Sequence, residues 1–273
     1  MTRKELFGAI RSKASMLCVG LDTDIDRIPE HLRKTEDPIF EFNKAIIDAT
    51  HDLAIAYKPN TAFYESMGPE GMMSLQRTIE YIPDDIFVIA DAKRGDIGNT
   101  SKMYARSFFN HYKADAITVA PYMGFDSVEP FMEYKDRWVI ILGLTSNEGS
   151  RDFQHLKLAS GKALFEEVIE RSAGYGTVDN TMFVIGATQA DYIKQIRALV
   201  PDHFFLVPGI GAQGGDLESV CRAGLNSMGG LIINSSRSIL YAAKDKDFAN
   251  ASRGQAQKLQ VQMQSILEGH SLL

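Results

Sequence analysis

An α/β protein built as a (β/α)8 barrel is the fold class the sequence predicts, and three observations predict it. Eight short apolar runs rich in Val, Ile and Phe recur along 273 residues. They are near-continuous rather than alternating, the pattern of parallel strands buried on both faces. Segments with helical spacing separate them. No GxGxxG turn follows the first run, where "GLDTDID" stands, which argues against an open doubly wound sheet. One (β/α)8 barrel domain over 1–273 is therefore expected.

The runs, in order, are "MLCVGL" (16–21), "LAIAYKP" (53–59), "IFVIAD" (86–91) and "DAITVA" (115–120). "WVIILGL" (138–144), "TMFVIGA" (181–187), "HFFLVPG" (203–209) and "LIINSS" (231–236) complete the set. Between the first two, Ile39, Phe42, Ile46 and Ala49 share one helical face. "TQADYIKQIRALV" gathers Ile193, Ile196 and Val200 in the same way, and Thr188 and Asp216 stand where helix N-caps belong. The longest connection, about 145–180, accommodates a helix in "GKALFEEVIERS" and an excursion toward the site. Ala256, Leu259, Met263 and Ile266 mark a closing amphipathic helix.

Composition excludes several classes. The chain is 45% hydrophobic and 23% charged, ordinary for a globular core. With 35 acidic against 29 basic residues the net charge is −6, and no like-charge block favours nucleic acid or an anionic membrane. Cys18 and Cys221 make neither a disulfide framework nor a CxxC zinc motif. "MTRKELFGAIRSKASM" has no continuous apolar segment, so neither signal peptide nor membrane anchor is expected, and the cytoplasm is the expected compartment.

In such barrels, functional groups gather at the C-terminal strand ends. Those ends carry Asp22, Lys58, Asp91 and Lys93, with Asp96 just beyond. Strand alternation points Asp91 and Lys93 the same way, and Lys58 ends the neighbouring strand. The plainer alternatives are a structural Asp91–Lys93 ion pair and a helix-capping role for Asp96. A second cluster suits an anion. "VPGIGAQGGD" offers Gly209, Gly211, Gly214 and Gly215, and "NSSRS" places Arg237 one strand later, where barrels often hold phosphate. His31, His51, His111, His155, His203 and His270 are scattered without HxH or HExxH spacing. Two lysines beside the carboxylates would compete with a cation, so no metal is expected. No GxSxG elbow is present either.

"DAKRGDI" resembles the D-x-K-x-x-D-I signature of orotidine 5′-phosphate decarboxylases. "GLDTD", "AYKPNTAFYE", "DAKRGDIGNT", "TVAPYMGFDSVEPF", "LTSNEGS", "VPGIGAQGGD" and "SSRS" follow in that family's order along nearly the whole chain, and the longer bacterial branch is the most similar. The resemblance implies a cofactor-free carboxy-lyase converting orotidine monophosphate to uridine monophosphate in pyrimidine synthesis. It implies a catalytic array of Lys58, Asp91, Lys93 and Asp96, with Lys93 as proton donor. It further implies a homodimer with shared sites, in which Asp96, Ile97 and Thr100 reach into the partner. Asp22 would contact the ribose, Ser146 the pyrimidine, and Gln213 and Arg237 the phosphate under a lid after the seventh strand. Pro208 and Ser236 complete the implied substrate contacts, and no fused phosphoribosyltransferase is expected. Gly98 stands where many relatives have Pro, and Ser236 where many have Gly. The rival expectations are a magnesium-dependent sugar-phosphate lyase of the same superfamily and a phosphate-ligand-binding barrel without catalysis.

Overall fold

Residues 1–186, 190–209 and 216–273 are described by the computed structural model. Eight parallel strands close into a barrel in sequence order. They are β1 (Leu17–Gly20), β2 (Ala56–Lys58), β3 (Phe87–Arg94) and β4 (Ala116–Val119). The second half comprises β5 (Trp138–Leu144), β6 (Thr181–Ile185), β7 (Phe204–Pro208) and β8 (Leu231–Ser235). The barrel closes where Cys18 of β1 lies opposite Asn234 of β8. Most strand residues are buried, because the barrel interior covers one face and a ring of helices the other.

All eight apolar runs became strands, with trimmed ends. The exceptions are β5, which matches its run residue for residue, and β3, which continues past Asp91 to Arg94. Its register against β4 shifts between Ala90 and Arg94, and Lys93 sits at φ 45°. This bulge carries the backbone on after the apolar pattern has stopped.

Local chemistry sets the helix starts. Asp37 accepts the Phe40 N–H ahead of Pro38 and so opens the helix Pro38–Thr50. Asp216 accepts the Ser219 N–H and caps Leu217–Gly224 as expected; Thr188 lies outside the described residues. Ile39, Phe42 and Ile46 are buried, as are Ile193, Ile196 and Val200. The long fifth connection holds a helix at Leu164–Ala173. The last helix, Phe248–Gly269, buries Ala256 and Met263 and stacks Phe248 on Phe42 with ring centroids 5.1 Å apart. Among the described residues no helix is long and apolar enough to cross a membrane.

The two barrel ends are chemically distinct. The first helix, Arg3–Lys13, is tied to the N-terminal strand ends. The Met1 amino group meets Asp115 at 3.2 Å, Trp138 Nε1 donates to the Met1 carbonyl, and Arg3 donates to the Asp202 carbonyl. These contacts cover that end and leave the opposite rim for ligands.

Candidate active site

A cavity of about 580 Å³ opens at the C-terminal strand ends. Asp22, Lys58, Asp91, Lys93, Ser146, Pro208, Ser236 and Arg237, all singled out by sequence, line it. Gln213 lies outside the described residues. Asp96, Ile97 and Thr100 do not line the cavity; they are partly or fully exposed beyond β3.

The centre is a linear run of alternating charge. Lys58 Nζ donates to Asp91 Oδ2 at 2.6 Å, and Lys93 Nζ to Asp91 Oδ1 at 2.6 Å. Lys58 also lies 3.6 Å from Asp22 Oδ1, an ion pair beyond hydrogen-bond geometry. Lys58 and Asp91 are buried, whereas the Lys93 side chain is 49% exposed. A half-exposed ammonium is thus anchored on a buried carboxylate.

Burial alone would raise the Asp91 carboxyl. The charges of Lys58 and Lys93, then their hydrogen bonds, outweigh it and hold the group well below the usual carboxylate range. Burial would likewise lower Lys58, but the Asp22 and Asp91 charges with the Asp91 hydrogen bond keep it above the ordinary lysine value. Cys18, on the adjacent strand, is pushed up to about 12, chiefly by burial, and stays a neutral thiol.

Simple strand alternation does not explain how Asp91 and Lys93 meet. With Lys93 in the left-handed region, its N–H leaves the sheet ladder and donates to Thr118 Oγ1 at 2.9 Å. The Thr118 hydroxyl donates in turn to Asp91 Oδ1 at 3.1 Å. Asp96 does not cap the next helix in the usual way. Its Oδ1 accepts the N–H of Ile97, its immediate neighbour, and Ile97 is itself the N-cap of Gly98–Arg106. That helix opens at φ 53° on Gly98. Proline, locked near about −65°, has no access to this conformation, so glycine at position 98 suits the backbone observed.

The β1 loop is held from behind. Tyr241 accepts the Asp24 N–H at 2.9 Å and donates to the Asp22 carbonyl at 3.0 Å. Thr23 bonds to buried Asn43, which donates to Tyr64 and Thr78. Within this rigid frame Asp22 Oδ1 is buried with no hydrogen-bond donor among the described residues. Such an acceptor is costly unless a ligand hydroxyl supplies the donor.

Across the cavity, Gln154 clamps the loop after β5: its amide donates to Thr145 Oγ1 at 2.8 Å, and its Oε1 accepts the Thr145 N–H at 2.9 Å. Ser146 and Asn147 follow on the cavity wall. At the β8 end, Asn234 Nδ2 donates to Ser236 Oγ at 3.3 Å. A Cβ on Gly20 would fall 1.9 Å from that oxygen, so glycine in β1 is what admits serine at 236. Arg237 and Arg27 line this same end, and neither forms an ion pair with any described residue. Arg27 instead lies over the Tyr241 ring at 3.8 Å.

Sequence reading missed Thr118, Asn234, Tyr241 and Arg27. A polar residue inside an apolar strand run was the available signal for Thr118 and Asn234. Among the described residues no cluster of three or more His, Cys, Asp or Glu is placed to hold a metal.

Comparison with known proteins adds a family. Residues 15–251 match the model described as "Orotidine 5'-phosphate decarboxylase / HUMPS family". An orotidine 5′-phosphate decarboxylase of Phocaeicola vulgatus is 58% identical over 270 residues, covering 98% of this chain and 99% of the relative. One of Flavobacterium johnsoniae is 56% identical over 271 residues, with 98% and 99% covered. The solved structure of Leishmania donovani OMP decarboxylase is similar at a TM-score of 0.83 and 40% identity, covering 97% of this chain and 99% of that one.

Proposed function

This chain belongs to the orotidine 5′-phosphate decarboxylase / HUMPS family, and from that premise we propose that it decarboxylates orotidine monophosphate to uridine monophosphate, with Lys93 donating a proton to C6. The observation that carries the reading is the Asp22–Lys58–Asp91–Lys93 run, with a half-exposed ammonium at its open end. In this role the chain works as one barrel domain in the cytoplasm, closing de novo pyrimidine synthesis.

Loss of CO2 from C6 leaves an electron pair in the ring plane, where the π system cannot delocalise it. The barrier must then fall by electrostatic preorganisation. Lys93 supplies a fixed positive charge beside the developing carbanion; the C6–carboxylate bond breaks, its electron pair stays on C6, and an ammonium proton moves there. Asp91 anchors the Lys93 ammonium and, near the departing carboxylate, disfavours the ground state. Lys58 is buried between the Asp22 and Asp91 carboxylates, which suits a rigid brace that also reaches a ribose hydroxyl.

The rest of the cavity is assigned to the rest of the substrate. The buried Asp22 Oδ1, ion-paired with Lys58 but without a hydrogen-bond donor among the described residues, accepts from a ribose hydroxyl, and Ser146 contacts the pyrimidine from the β5 wall. The phosphate lies at the β7–β8 end, where Pro208, Ser236 and Arg237, which has no ion pair among the described residues, line the cavity; Gln213 joins them in this reading. Binding energy from that end orders the site for chemistry. Asp96, Ile97 and Thr100 complete the site of a second subunit in a homodimer. Support comes from their exposure together with that of the apolar Met103, Tyr122 and Met123. The reaction needs no cofactor, and magnesium is disfavoured because lysine ammonium groups already occupy both Asp91 oxygens.

Incubation of purified protein with orotidine monophosphate tests this directly. Uridine monophosphate and CO2 appear in equal amounts; a folded protein that leaves the nucleotide unchanged refutes it.

A further inference from the structure

Thr118 is sealed inside the barrel yet touches both halves of the charge array. A hydroxyl carries one proton, so its two bonds have a fixed sense: Oγ1 accepts the Lys93 N–H at 2.9 Å and donates to Asp91 Oδ1 at 3.1 Å. Asp91 Oδ1 also receives the Lys93 ammonium at 2.6 Å. The backbone and the side-chain tip of Lys93 are thereby tied to the same carboxylate oxygen, one through Thr118 and one directly.

The backbone tie matters because Lys93 has an unfavourable conformation. At φ 45° it occupies the left-handed region, which a residue with a Cβ adopts only when its surroundings enforce it. The β3–β4 register shift spans this point, so a side chain takes the N–H in place of a ladder carbonyl. Glycine or asparagine at position 93 would tolerate such a turn better; lysine is kept there by what holds it.

Resting on the decarboxylase reading above, we propose that Thr118 is a positioning residue for the reaction, whose hydroxyl holds Lys93 in its left-handed turn and sets the ammonium against Asp91. Thr118 touches no substrate in this account. It acts through Lys93 and Asp91, so its loss slows proton delivery without weakening the hold on ribose and phosphate.

Thr118→Val keeps the shape and removes the hydroxyl, whereas Thr118→Ser keeps the hydroxyl and removes the methyl. Steady-state kinetics on orotidine monophosphate and equilibrium binding of uridine monophosphate are measured for both, with unfolding curves to establish folding. For T118V, kcat falls about ten- to a hundredfold, the size of a lost hydrogen bond to a charged group. Product affinity stays within about threefold, and T118S recovers kcat to within about threefold of wild type. If T118V does not fold, Thr118→Ala takes its place with the same expectations. A hydroxyl-free variant with wild-type kcat overturns the role, and so does one whose kcat and product affinity fall together, or a T118S as slow as T118V. An inactive wild type sinks the decarboxylase reading and this role with it; an active wild type matched by T118V sinks only the role.

Discussion

Asp91→Asn removes the charge that two lysines share while keeping the side-chain shape. Each Nζ sits 2.6 Å from a different oxygen of that carboxylate, which places the two ammonium groups roughly 5 Å apart. At an effective dielectric near 20, their uncompensated repulsion is about 3 kcal/mol. Lys93 is half exposed and relieves part of this by turning into water. Lys58 is buried and keeps only Asp22, at 3.6 Å. Breaking a buried pair on one side costs about 3–5 kcal/mol, and Asp22 returns some of it, so a net loss of about 2–4 kcal/mol is expected.

The pH dependence gives this prediction a sign. In the wild type the folded pKa of Lys58 is raised, so its contribution is complete below the unfolded value of about 10.4 and is lost as pH climbs through the folded one. Asp91 has the opposite sense: its folded value is depressed, and its contribution holds above about pH 3.9 and is lost on acidification. Stability from the pair is therefore flat from about pH 5 to 9. In D91N, burial, the largest influence on Lys58, keeps its downward pull while the Asp91 charge and hydrogen bond that oppose it are gone, so the folded value falls from its raised position. The cost is then present at neutral pH and shrinks as Lys58 loses its proton. Urea unfolding at pH 7 and pH 10, at one fixed protein concentration, measures both. A D91N protein within about 0.5 kcal/mol of wild type at pH 7, or a deficit that grows at pH 10, refutes the reasoning.

Arg237→Ala removes from the cavity a guanidinium with no ion pair among the described residues and lowers kcat/KM by about a hundredfold or more, with the unfolding midpoint unchanged; unaltered kinetics would remove phosphate gripping from the account. Shared sites predict complementation. K93A and D96N homodimers are each inactive, but refolding them together restores about a quarter of wild-type activity, since half the dimers are mixed and each has one intact site. Mixtures no more active than their components would place Asp96 and Lys93 in the same subunit's site and refute the sharing.

The barrel was legible because strands buried on both faces spell themselves out as apolar runs, as "WVIILGL" does by matching β5 residue for residue. The charged rim was legible for a related reason: Lys58 and Asp91 interrupt such runs where a core would not tolerate them unpaired. What alternation could not show is the turn at Lys93, because a register shift and a positive φ leave no mark in hydrophobicity. Thr118 looked like any β-branched strand residue, and its value depends on a neighbour strand 25 residues away in sequence. Ser236 reads as an ordinary substitution until Gly20 is seen to make room for it. Asp96 belongs, in the proposed dimer, to a partner's site, which no single chain's packing displays.

The most direct test of the central claim is the ultraviolet absorbance of orotidine monophosphate with wild type and Lys93→Ala side by side, each with and without EDTA. The account predicts rapid conversion by wild type, the same rate in EDTA, and loss of conversion in K93A with uridine monophosphate still bound. Conversion that EDTA abolishes, or that K93A sustains, would contradict catalysis by the lysine–carboxylate array.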